Sequence, residues 1–452
     1  MTMRMLVLTV LLVAAGTRTG TAEDVPPTTE QPTTKPLAPV SSTVLSPAPV
    51  LPAGVPQLPV TLTDEPADVA PSAVPVGTAD SDVPAGEEPA AAAPSGRNFA
   101  GSVQLDYLAI PTERIGRNIA LDGATAELSL KVVADLGHDV STSAKLCYGC
   151  HGVEVGMAYF DLRVADELSF RVGRFTPSFG SFPLRHDPAN HRTSDKPLPY
   201  DMGRMVRLRE WNEGILPAPW VDNGVEIGGA HYFGTKVQLG YAAFAIGGPR
   251  GDSEGFDFDF TQSRSPDRYY VDNNSRPALG GRINGNFEVG ETTTLAVGAS
   301  VMAGHYDPAA RLGFFIGGVD AVLQLDRVVV RAEYLLRWTE FALGDDPRSR
   351  LKYGPDSTGR IADSYLKDGF YAEVEVPVSS RVELVGRFDG LRRFGNVLAT
   401  SELTSRSTVL RYTAAAAIRV AGAVRIKTSV EAYDFSDFDR ELAMHLGLAG
   451  SF

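Results

Sequence analysis

From residue 97 to residue 452, apolar and polar residues alternate with a period of two, and no stretch shows sustained helical periodicity. Period two puts successive side chains on opposite faces of an extended strand. Val103, Leu105 and Tyr107 alternate with Ser102, Gln104 and Asp106, and Leu128, Leu130 and Val132 with Glu127, Ser129 and Lys131. At the end of the chain Met444, Leu446, Leu448 and Phe452 fall on one face, with His445, Gly447, Ala449 and Ser451 on the other. Similar segments recur at Val153–Val164, Leu168–Phe175, Gly224–Tyr232, Lys236–Ile246, Ala278–Val289 and Thr294–Ala303. They continue at Phe314–Leu325, Val328–Phe341, Gly369–Val378, Val382–Phe394, Thr408–Val420 and Val424–Phe435. A soluble sandwich seldom needs so many strands of this length.

The connections decide between a sandwich and a membrane barrel. Tight turns such as Gly234-Thr235, Asp326-Arg327 and Ala421-Gly422-Ala423 alternate with long polar loops at about 176–220, 247–276, 304–313, 342–368 and 395–407. Short turns on one rim and long loops on the other predict an all-β fold, a transmembrane antiparallel β-barrel. Tyr232, Phe233, Tyr334, Trp338, Phe341, Tyr371, Tyr433 and Phe435 near strand ends fit interfacial girdles. With both ends of the barrel in the periplasm the strand number is even. Counting Arg114–Leu121 as a separate strand gives about 16, enough to leave an aqueous lumen.

Two segments precede the barrel. Arg4, the apolar run Met5 to Ala15 and the small residues Gly20-Thr21-Ala22 make residues 1–22 a secretory signal peptide. Residues 23–96 are rich in Pro, Ala and Thr and hold ten acids against Lys35. Such a composition buries too little apolar area to offset chain entropy, so this is a disordered acidic linker, placed in the periplasm. The whole chain has a formal net charge of −13, which argues against nucleic acid as a partner.

The stretch Ala158-Tyr159-Phe160-Asp161, then Leu168-Ser169-Phe170-Arg171-Val172-Gly173-Arg174-Phe175, then Pro177 and Phe179-Gly180, resembles a recurring signature of Gram-negative outer-membrane porins. It is most similar to the phosphate-selective porin O/P group, although Ser178 interrupts the Pro-Phe-Gly run. The signature covers about 25 residues. The resemblance implies a porin barrel in the outer membrane, and the terminal Phe452 is similar to the signal read by the barrel assembly machinery. Outer-membrane lipids and lipopolysaccharide are the surroundings it implies, and a homotrimer is kept open.

Both cysteines fall in Cys147-Tyr148-Gly149-Cys150-His151, the spacing at which two thiols hold the vinyl groups of haem c and the histidine reaches its iron. Histidine is 7 of 452 residues, so a chance histidine at that place is rare. A loop disulfide between Cys147 and Cys150, natural in an oxidising compartment, is the second reading, and free thiols or a metal site the third. Parity places the motif in an outward loop between Ala126–Leu136 and Val153–Val164. The next outward loop, the longest, offers His186, His191, Met202 and Met205 as distal ligands. For each alone, an ordinary loop residue is the plainer assignment.

Three function classes follow. A porin-like channel for small solutes is the first. Arg171, Arg174, Arg185 and Arg192 are its channel-lining candidates and favour anions, although 97–452 as a whole holds 39 bases and 45 acids. The second is a porin–cytochrome conduit carrying electrons across the outer membrane, which requires a periplasmic redox partner. The third, an outer-membrane hydrolase, lacks a Gly-x-Ser-x-Gly elbow and any concentrated histidines, so enzymatic activity is not expected. Asp252, Glu254, Asp257 and Asp259 cluster in one outward loop without EF-hand spacing, and solvated loop charge is their expected role.

Overall fold

In a computed structural model, the described residues are 97–110, 123–137, 139–149, 152–202, 204–260 and 272–452. The expected signal peptide and linker lie outside them. Sixteen strands form one closed antiparallel barrel in chain order, with β1 pairing β16. They are β1 Arg97–Ala109, β2 Gly123–Asp135, β3 Val140–Gly149, β4 Gly152–Ala165, β5 Leu168–Phe175, β6 Asp222–Phe233, β7 Val237–Ile246 and β8 Ala278–Gly290. The second half is β9 Thr293–His305, β10 Gly313–Leu325, β11 Val328–Glu340, β12 Ser364–Pro377, β13 Val382–Gly395, β14 Arg406–Ala421, β15 Val424–Phe435 and β16 Glu441–Ser451.

The count of sixteen agrees with the sequence, but the described strands include one that the sequence did not reveal. Arg114–Leu121 lies outside the described residues, and the strand not foreseen is β3. Its apolar face consists only of Ala144, Leu146 and Tyr148, following the polar run Ser141-Thr142-Ser143, so its alternation is weak. Cys147 therefore sits within a strand and not in a long loop. Gly149 pairs with Gly152, closing β3 and β4 into a tight hairpin on the long-loop rim.

The alternation sorts side chains as a membrane barrel requires. Leu105, Phe160, Ile283, Tyr412 and Leu446 stand more than 40% exposed on the outside. Their neighbours Asp106, Tyr159, Arg411 and His445 are buried inside. A continuous apolar exterior around a polar interior inverts the arrangement of a water-soluble protein. Among the described residues no helix is long and apolar enough to cross a membrane. Closure is completed at the chain end, where the Gly101 and Phe452 backbones exchange hydrogen bonds of 2.8 and 3.0 Å. The Phe452 ring lies where a side chain at 101 would be, since a Cβ on Gly101 would come within 2.3 Å of it.

Candidate functional site

The barrel interior is occupied by the loop 176–221, which enters the lumen at once after β5. The residues of the porin-like signature make that entry. The Ser178 amide and hydroxyl both donate to Glu226 on β6, at 2.8 and 3.0 Å. Phe179 is buried, and the Gly180 amide donates to Ser300 Oγ on β9 at 3.0 Å. Gly180 has φ of +67°, and a Cβ there would lie 2.1 Å from the Tyr200 hydroxyl, so conformation and space both demand glycine. The signature thus builds the wall-to-loop junction.

Deeper in, two short 3-10 turns at Phe182–Arg185 and Leu198–Tyr200 pack the loop's apolar residues together. Phe182 and Tyr200 stack at 5.3 Å between ring centres, and Met205, Ile215 and Leu216 close the cluster. Polar groups then pin this apolar mass to the strands. Glu333 on β11 accepts from the Ser181 amide at 2.6 Å, the Tyr200 hydroxyl at 2.7 Å, the Tyr371 hydroxyl at 2.9 Å and the Phe182 amide at 3.3 Å. Asp389 on β13 accepts from the Leu198 amide at 3.0 Å and from Arg411 Nη2 at 2.6 Å. Arg411, with no exposed surface, also contacts Asp195 of the loop and Glu431 on β15. Lys427 on β15 donates to the Pro188 and Thr193 carbonyls. Buried charges of this kind are tolerated only when paired and hydrogen-bonded, and breaking one pair leaves an uncompensated charge.

The four arginines expected to line the channel are all engaged within the protein. Arg171 pairs with Asp161 at 2.8 Å and approaches Glu226 at 3.7 Å, Arg185 pairs with Glu373 at 3.0 Å, and Arg192 pairs with Glu383. Arg174 is itself buried, donates to the Val155 carbonyl at 2.9 Å and acts on the Asp222 carboxylate.

A cavity of about 140 Å³ remains between the loop and strands β1 to β4. Cys147, His186, His191 and Met202, which the sequence proposed as parts of one haem site, all line it. Cys147 faces inward because it shares its strand face with the buried Lys145, and Gly156 opposite leaves room for its sulfur. Met205 is buried in the apolar cluster instead. Cys150 and His151 lie outside the described residues.

His186 Nδ1 lies 2.6 Å from the Pro183 carbonyl and its Nε2 3.2 Å from Lys145 Nζ, an arrangement that fits a neutral ring donating from Nδ1 and accepting at Nε2. Burial and the neighbouring lysines push its pKa down to about 4, against the attraction of Asp187. Burial opposes ionisation of Asp187, but His186 and the Lys145 ammonium hold its pKa at about 2. His191 is pushed well below its ordinary value by burial and by Lys427, Lys196, Arg185 and Arg387. Neither of its ring nitrogens has a hydrogen-bond partner. The Met202 sulfur lies 3.0 Å from Lys196 Nζ.

Asp195, Glu431 and His445 bring ligand atoms within 4.8 Å of one another, as a metal centre would. The Arg411 guanidinium already contacts both carboxylates, so the cationic place in that cluster is taken by protein. His445 Nδ1 lies 3.0 Å from Asp106, joining β16 to β1 across the closing seam of the barrel.

No protein-family model and no curated protein matches the chain. Among solved structures it is similar to the outer-membrane channel DcaP of Acinetobacter baumannii, at 13% identity and a TM-score of 0.49, covering 79% of this chain and 97% of that one. It is similar to OprB of Pseudomonas putida at 10% identity and 0.48, over 79% and 94% of the two chains. An anion-selective porin of Comamonas acidovorans stands at 12% identity and 0.45, over 79% and 100%.

Proposed function

We propose that the chain is an outer-membrane, porin-like channel for small solutes, with its short turns in the periplasm and its long loops outside. The observation that carries this reading is a closed sixteen-stranded barrel with an apolar exterior, a charged interior and a long loop bound inside the lumen. A sixteen-stranded wall encloses more space than its own side chains fill. The loop 176–221 takes up much of that space and sets the size of what passes. The phosphate preference implied by the O/P resemblance draws no support from the signature itself, because Gly180 and the interrupting Ser178 bond to the barrel wall. Purified barrel in liposomes is expected to admit small sugars, read as swelling, and to exclude larger ones. Liposomes that remain osmotically tight to every solute contradict the reading.

A second reading is kept for the cysteine motif, favoured by the inward thiol of Cys147 on a cavity that His186, His191 and Met202 also line. Haem c on Cys147, Cys150 and His151 would add electron transfer to the channel, with a periplasmic redox partner as its donor or acceptor. Of the lumen-side residues, His191 has both ring nitrogens unpartnered, whereas His186 and Met202 are engaged. The cavity is well below the 300–1,000 Å³ of small-molecule sites, so a bound haem requires the loop to withdraw from β1 to β4. Haem staining and a reduced-minus-oxidised spectrum, on protein from cells able to attach haem, test this. A signal that survives denaturation and is lost in C147A/C150A supports it, and no signal leaves a disulfide or free thiols.

A further inference from the structure

A second cavity, of about 540 Å³, lies where β12 and β13 reach the long-loop rim. Its walls are Trp211 from the lumen loop, Phe256 and Phe258 from the β7–β8 loop, and Leu398 and Leu403 from the β13–β14 loop. Lys367 and Arg393 stand in its lining, on directly opposed positions of β12 and β13. Like charges directly opposite across a ladder repel.

Among the described residues, neither cation is hydrogen-bonded to a carboxylate, although Asp257 lies near both. The Lys367 ammonium, 1% exposed, donates to the carbonyls of Trp211, Asn212, Glu213 and Gly214. Arg393, 5% exposed, donates to the Gly395 and Asn396 carbonyls at 3.1 and 2.6 Å. Its guanidinium lies 4.2 Å from the centre of the Tyr365 ring and 5.4 Å from that of Phe256. The nearby carboxylate Asp257 is held by Arg337, both oxygens at 3.1 Å from Nη2. On the opposite wall, Glu210 faces Arg207 at 3.6 Å, and Glu402 is exposed and has partners of its own. Among the described residues, Asp257 is thus the one carboxylate paired with any of these three inward cations, and Glu213 acts on Lys367 from further off. The buried Trp211 Nε1, also on this cavity, has no hydrogen-bond acceptor. Buried charge without a counter-charge is costly, so this arrangement calls for an anion from outside the chain. The volume is that of a small-molecule site, and its aromatic walls suit a flat apolar body.

We propose that this rim cavity binds a small aromatic carboxylate. Its carboxylate is taken by Arg393, with the Lys367 ammonium adding positive charge from within its cradle of carbonyls, and its ring lies against Phe256 and Trp211. The proposal rests on the channel reading and names the class of solute captured at the outer mouth.

The test uses the full chain folded in detergent, with benzoate and its neutral isostere benzamide as calorimetric probes. Benzoate is expected to bind saturably, and benzamide about tenfold or more weakly, the loss of one charge-assisted hydrogen bond. R393Q and F256A are each expected to weaken benzoate by a similar factor while keeping the heat-modifiable gel mobility of a folded barrel. Equal affinity for benzamide, or no saturable benzoate binding by the wild type, overturns the proposal. So does benzoate binding unchanged in folded F256A and R393Q. A barrel that conducts ions but binds no benzoate overturns this inference alone, whereas a barrel without conductance overturns the channel reading.

Discussion

Glu333 ties three groups of the lumen loop to the wall, and E333Q tests what the loop does. The carboxylate, 3% exposed, accepts two hydroxyl and two amide donors and leaves neither oxygen idle. Glutamine keeps the shape but replaces one accepting oxygen with an NH2 donor. Its best orientation turns that group toward the Tyr371 hydroxyl, which can reverse and accept, and toward the Phe182 amide at 3.3 Å, which cannot. One hydrogen bond to a charged group is then lost and the others weaken, about 1.5–3 kcal/mol against the loop-bound state. Each 1.4 kcal/mol is a factor of ten, so the released population rises by about 10- to 100-fold. Single-channel recording in planar bilayers reads this as larger conductance steps or frequent excursions to a larger state. Traces of E333Q that match the wild type in step size and noise refute the claim that this loop sets the lumen width.

Other outcomes follow from the same anchors. G180A places a Cβ at φ +67° and against the Tyr200 hydroxyl, so the loop is destabilised by about 1–2 kcal/mol or more; protease cleavage within 176–221 of the folded barrel should quicken, and unchanged cleavage counts against the junction. Acid should loosen the loop, because His186 in place has a pKa of about 4, below the 6.5 of a free ring. The released loop therefore binds the proton first, and the preference for the bound state, roughly 3 kcal/mol from this group, fades as pH falls from 6.5 toward 4. Asp187 acts in a lower window, from 3.8 down to about 2, where its pairing with Lys145 is lost. Conductance that is flat between pH 7 and 4 would contradict the histidine assignment. R411M leaves Asp195 without its cation and Asp389 and Glu431 with Arg387 alone, a loss of about 3–5 kcal/mol, and should lower the temperature at which the barrel loses its compact gel mobility.

The barrel was legible because its signal is additive: each strand is a weak pattern, but fifteen of them with alternating connection lengths leave few alternatives. What escaped was β3, where three serines and threonines in succession blur the two faces, and where a cysteine motif at the end of the strand drew the segment into a loop. The lumen was less legible for a physical reason. Alternation reveals that Lys367, Arg411 and Lys427 face inward, but each takes partners from a loop up to some 240 residues away in the chain, such as Pro188 at Lys427. No local pattern encodes that pairing. The four loop residues gathered around the cysteine motif were only half legible, since His186, His191 and Met202 reach the Cys147 cavity and Met205 does not. Asp257 departs from the solvated role expected for its acidic cluster, because an aromatic loop carries it inward to Arg337.

The central claim is a water-filled passage through a barrel that lies in the membrane and is narrowed by its own loop. Its most direct test is the current through purified wild-type protein added to a planar lipid bilayer in potassium chloride. Discrete, uniform conductance steps that grow when Glu333 is changed to glutamine are the predicted result. Heat-modifiable, correctly folded protein that inserts and carries no current would contradict it.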